Sequence, residues 1–135
     1  MRSLDTNVLV RVLVDDADDA QAAVQRPAAL EALSQRAFVS VTVLLELEWV
    51  LRGFYVLPRR DCVRAIRALA GIEHLVMEDR DAVLTALDAV DRGLDFADAL
   101  HVARSVRATT FATFDKRLAK RAKALALSPT VELLA

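Results

Sequence analysis

The chain has 135 residues, 55% of them hydrophobic, with only three glycines and three prolines. That length suits one domain with a real core, and the composition excludes a disordered segment in favour of a helix-rich globule. A net charge of −1, with five Phe, one Tyr and one Trp, advertises neither a polyanion-binding surface nor a stacking platform for single-stranded bases.

In chain order, Arg2–Asp5 reads as a brief strand running into a helix over Thr6–Leu13. Ala17–Gln35 reads as helix with a break near Pro27, because proline is disfavoured inside a helix. Ala37–Val41 is a strand candidate; Thr42 resembles an N-cap for a helix over Val43–Arg52 that closes near Gly53. Pro58 opens a helix to about Ala70, stopped by Gly71. Glu73–Met77 is a third strand, Asp79–Asp91 a helix stopped by Gly93, and Asp95–Arg107 another helix. Thr109–Ala112 is a strand, Lys116–Leu125 a helix and Thr130–Leu134 a last strand. Strands alternating with helices predict an α/β layer fold with a mainly parallel sheet. No linker or repeat divides it, so residues 1–135 read as a single domain. In such sheets a ligand site lies beyond the carboxyl ends of the strands.

Four acids fall where that rule directs attention. Asp5 follows the first strand and precedes a helix, a position that fits either an N-cap or a ligand. Asp115 stands in the same way after the fourth strand. Asp98 shares a helix face with Asp95, three residues earlier; Asp95 fits a cap, and His101 and Val102 give Asp98 no countercharge at neutral pH. Glu46 has Thr42, Val43, Trp49 and Val50 as its helical neighbours, so it is expected on an apolar face, where a lone carboxylate is costly without a compensating cation. Glu48 precedes Arg52 by four residues and reads as a surface pair.

Carboxylates suit hard cations, so Mg²⁺ or Mn²⁺, one or two ions, is the expected cofactor, whereas zinc would normally want His or Cys. Four converging carboxylates without a cation would repel one another. Setting the four acids aside leaves 18 basic against 15 acidic residues, a balance of +3, so the overall charge does not exclude a polyanionic substrate. Two cations could orient a water for in-line attack on phosphorus, with Thr6, Asn7, Asp95 and Thr113 orienting carboxylates or water from behind. Lys116, Arg117 and Lys120 belong to a basic helix face that fits either plain solvation or phosphate steering. The lone Cys62 excludes an internal disulfide. With no apolar run of membrane-spanning length and Asp5 interrupting the start, a cytoplasmic protein is expected.

These residues resemble the PIN domain family, and within it the VapC-type toxins of toxin–antitoxin modules. The matching stretches are Leu4–Arg11 (Leu-Asp-Thr-Asn-Val-Leu-Val-Arg), Ser40–Glu48, Asp95–His101 (Asp-Phe-Ala-Asp-Ala-Leu-His) and Thr113–Leu118. They run in the family's order and span nearly the whole chain. The resemblance implies a three-layer α/β/α fold around a central, mainly parallel sheet of about five strands. It implies a Mg²⁺- or Mn²⁺-dependent endoribonuclease, with Asp5 and Asp98 as principal metal ligands and Glu46 and Asp115 acting directly or through water. It also implies an RNA substrate, a homodimer and a small cognate antitoxin, whose tail could lie on apolar surface around Leu44–Tyr55 and Cys62–Leu69 unless those stripes are core. A housekeeping RNA-processing nuclease and a catalytically silent binding module are the alternative readings.

Overall fold

The computed structural model describes all 135 residues, which form two compact units, Met1–Glu78 and Asp79–Ala135. No helix is long and apolar enough to cross a membrane.

The first unit is built on a three-stranded parallel sheet in the order β1 (Arg2–Ser3), β2 (Ala37–Val39), β3 (Leu75–Met77). Arg2 pairs with Ala37, and Ala37 with Leu75. As the central strand, β2 is flanked on both edges, and its Ala37 and Val39 are fully buried. Helix α1 (Thr6–Leu13) starts at once after β1 because the Asp5 carboxylate accepts the Thr6 N–H at 2.8 Å. Helix α2 (Ala20–Ser34) is capped by Asp19, which accepts the N–H groups of Gln21 and Ala22. The break expected at Pro27 does not occur. Pro27 and Ala23 are both exposed, so the carbonyl deprived of its partner faces solvent and the helix runs through.

Helix α3 (Val41–Trp49) is capped by Ser40, not by Thr42: the strand ends at Val39, and Ser40 Oγ accepts the Val43 N–H. Glu78 reinforces this start by accepting the Val41 N–H at 2.9 Å. Instead of stopping at Gly53, the helix widens into a π turn over Val50–Phe54, closed by the Tyr55 N–H on the Val50 carbonyl. Helix α4 (Arg59–Ala70) begins after Pro58, ends at Gly71, and buries Cys62, Val63, Ile66, Leu69 and Ala70 along one stripe.

In the second unit, helices α5 (Arg80–Asp91) and α6 (Phe96–Ala103) bury Val83, Leu87, Leu100 and Val102. Gly93 ends α5 at φ +103°, a conformation glycine adopts without penalty. Strand β4 (Thr110–Thr113), helix α7 (Lys116–Ala124) and strand β5 (Thr130–Leu133) complete the chain. β4 and β5 pair in parallel, Thr110 with Thr130 through Thr113 with Leu133. The α/β class and the parallel pairing hold throughout. The five strands, however, form a three-stranded and a two-stranded sheet and not one sheet of five.

Candidate active site

In the first unit, Asp5 and Glu46 line one cleft of about 270 Å³, brought there by the starts of α1 and the middle of α3. Both side chains are exposed. Asp5 Oδ1 caps α1, which leaves its second oxygen available to a ligand. Thr6 and Asn7 share the cleft. Thr6 is buried, and its Oγ1 has no hydrogen-bond partner, a cost proteins seldom leave unmet unless a water or ligand completes the site.

Glu46 departs from expectation. The buried stripe of α3 and the π turn is Val41, Leu44, Leu47, Glu48 and Leu51, so Glu46 lies off it, beside the exposed Trp49. The residue inside is Glu48, 7% exposed. Its two oxygens both accept from Arg52 Nε, at 2.9 and 3.2 Å. The expected surface pair is therefore a largely buried one. The Cys62 thiol is pushed up, first by burial and then by the Glu48 charge, with Arg52 opposing.

In the second unit, Asp95 caps α6 by accepting the Asp98 N–H at 3.2 Å, and Asp115 caps α7 by accepting the Leu118 N–H at 3.0 Å. Thr113 Oγ1 accepts the Asp115 N–H at 3.0 Å, which fixes the backbone of the acid. Asp98 is half-buried. Its carboxyl is held above the usual range by burial first, then by the charges of Asp95 and Asp115, while His101 pulls it down. Lys116, Arg117 and Lys120 are exposed on α7, whose inward stripe is Leu118 and Ala122.

The structure thus groups Asp5 with Glu46, and Asp98 with Asp95 and Asp115. In neither unit do three or more acidic, histidine or cysteine side chains come close enough to hold a metal by themselves. The sequence reading missed Phe54, Tyr55 and Arg11, which also line the Asp5–Glu46 cleft. Its only available signal was the run of three aromatics within Trp49–Tyr55.

Carboxylates and hydroxyls at the helix starts of this α/β protein serve as caps, and the same oxygens are of the kind that hard cations take. The sequence matches the PIN domain over residues 3–124, and the chain belongs to the PIN domain family, a nuclease superfamily whose members bind RNA and typically use divalent metal ions. No curated protein and no solved structure matches it. The donor chemistry fits such an ion: the acids offer hard oxygens, and the orphaned Thr6 hydroxyl lies beside Asp5.

Proposed function

We propose that this chain is a Mg²⁺- or Mn²⁺-dependent endoribonuclease, the cytoplasmic toxin of a VapBC-type pair, with residues 1–135 acting as one nuclease domain. The reading assigns Asp5 and Asp98 as the ligands of one or two cations, with Glu46 and Asp115 completing the set directly or through water. Thr6, Asn7, Asp95 and Thr113 orient carboxylates and water, and Lys116, Arg117 and Lys120 draw in the RNA backbone. A homodimer and a small antitoxin partner belong to the same proposal.

The observation that supports it best is the cleft shared by Asp5 and Glu46, where a buried Thr6 hydroxyl lacks a partner. When bound, the cation would neutralise developing charge and acidify a water. The protein's own share is placement. Capping holds the Asp5 and Asp115 carboxylates at helix starts, and Thr113 fixes the latter's backbone. Water attacks phosphorus in line and gives up a proton to solvent or a site carboxylate, while the bond to the 3′ oxygen breaks and that oxygen takes up a proton. The product ends are a 5′-phosphate and a 3′-hydroxyl.

The test is digestion of total RNA by the purified protein with Mg²⁺ or Mn²⁺, followed by sequencing of the ends. Defined 5′-phosphate ends are expected, with chelation abolishing them and Asp5→Ala or Asp98→Ala reducing them by more than about 100-fold. Undiminished cleavage by those variants or under chelation overturns the reading. Growth arrest on induction, reversed by co-expressing a small protein encoded beside this gene, is expected of the toxin; unimpaired growth points to an RNA-processing role.

A further inference from the structure

The cleft holding Asp5 and Glu46 has an aromatic wall that the core does not require. Where α3 widens into the π turn, Phe54 is left 72% exposed. Its ring meets that of the half-buried Tyr55 edge to face, centroids 4.9 Å apart at 80°. Trp49, 63% exposed, lies over Gly53 in the same turn. Three of the chain's seven aromatic residues therefore crowd into Trp49–Tyr55 and keep substantial surface in solvent. Phe54 and Tyr55 face the cleft with the acids, and Asn7 and Arg11 of α1 line it too. Arg11 gives its Nε–H to Gln25 Oε1 at 2.9 Å, which steadies the guanidinium and leaves its other N–H groups without a partner in the protein.

The physical consequences differ for the parts of a nucleotide. Asp5 and Glu46 outweigh the single charge of Arg11 and leave the cleft net negative until a cation is present, so an uncharged group gains most from it. A nucleobase is such a group, and every base has a π face that stacks on an aromatic ring. At about 270 Å³ the cleft is smaller than the ~300–1,000 Å³ of drug-sized pockets and suits a single base. A peptide partner would want continuous apolar surface; here the aromatic wall is interrupted by Asp5, Asn7, Arg11 and Glu46.

We propose that Phe54, braced edge-on by Tyr55, is the stacking platform for the nucleobase beside the scissile phosphate of a single-stranded RNA. Arg11 takes a neighbouring phosphate, and the Asn7 amide, both donor and acceptor, meets the base edge. This deepens the nuclease reading and rests on it.

The experiment is a substrate cycle with an RNA oligonucleotide spanning a mapped cleavage site, intact or lacking the base on either side of it. Phe54→Ala raises KM for the intact oligonucleotide by about tenfold with kcat little changed, and Phe54→Trp restores it. Removing the stacked base costs the parent protein the same factor and costs Phe54→Ala nothing further. An unchanged KM for Phe54→Ala, or losses that multiply fully, overturns the platform; an unchanged KM together with lost binding of a protein partner makes the face a protein surface. If the parent protein cleaves no RNA with either cation, the nuclease reading fails separately. The platform is then judged by anisotropy with an unstructured single-stranded RNA oligonucleotide of mixed sequence, standing if Phe54→Ala weakens binding about tenfold and falling if it does not. Phe54 is exposed, so a melting temperature equal to the parent's is expected and assures that the fold is intact.

Discussion

Glu48 accepts the Nε–H of Arg52 at both carboxylate oxygens, 2.9 and 3.2 Å away, at the junction where α3 becomes a π turn. The Glu48 side chain is only 9% exposed and that of Arg52 34%, so the carboxylate depends on its partner more than the reverse. Removing one member of a fully buried pair costs about 3–5 kcal/mol. Arg52→Ala strands the Glu48 carboxylate, and with water able to enter where Arg52 stood it should destabilise the protein by about 2–3 kcal/mol. Urea unfolding measures this directly, and a loss within about 0.5 kcal/mol would show the pair to behave like a surface one.

The same pair marks where sequence reasoning reached its limit. Between Val41 and Leu51 only Thr42, Glu46 and Glu48 are polar, so helical periodicity cannot tell which face turns inward. Packing decides it, and packing buried Glu48 and left Glu46 at the cleft. What depends on adjacent residues was legible: Asp5, Asp95 and Asp115 accept backbone N–H groups at helix starts, and Gly71 and Gly93 follow helix ends. Strand pairing joins distant residues, and the division into sheets of three and two strands left no local trace. The π turn is likewise a matter of hydrogen bonds five residues apart, so the gathering of Phe54 and Tyr55 at the cleft could not be read from an aromatic count.

Gly93 offers a second stability test. Its φ of +103° disfavours any side chain, and a Cβ there would collide with the Arg121 guanidinium. Gly93→Ala should lower stability by about 1–3 kcal/mol. Adding Arg121→Ala removes the collision but not the backbone strain, so thermal melts of the double variant should recover only part of the loss. Full recovery would assign the whole cost to crowding.

Asp98 carries a pH dependence whose sign follows from its surroundings. Its folded carboxyl titrates above 3.8 because of burial and then the charges of Asp95 and Asp115. The folded state therefore holds this proton more tightly than the unfolded chain. The stability it contributes is fully present below pH 3.8 and is lost as pH rises through the folded midpoint. An NMR titration of the metal-free protein should show that elevated midpoint, and Asp115→Asn should lower it. An Asp98 midpoint at or below 3.8 would mean that neither burial nor its acidic neighbours govern it.

Glu46 and Asp5 separate chemistry from folding. Asp5 caps α1 through the Thr6 N–H, so Asp5→Ala should cost about 0.5–2 kcal/mol in stability as well as activity. Glu46 is exposed and caps nothing. Glu46→Ala should leave stability within about 0.5 kcal/mol of the parent. If Glu46 completes the cation set, RNA cleavage nevertheless falls by at least about tenfold, and raising Mn²⁺ recovers part of it. Parallel cleavage assays and urea melts on the two variants decide the matter. Parent-like cleavage by Glu46→Ala would remove Glu46 from the metal set and leave it as a solvated rim residue. A loss of activity at unchanged stability has no folding explanation, and an exposed cleft side chain that caps no helix then acts on what enters the cleft.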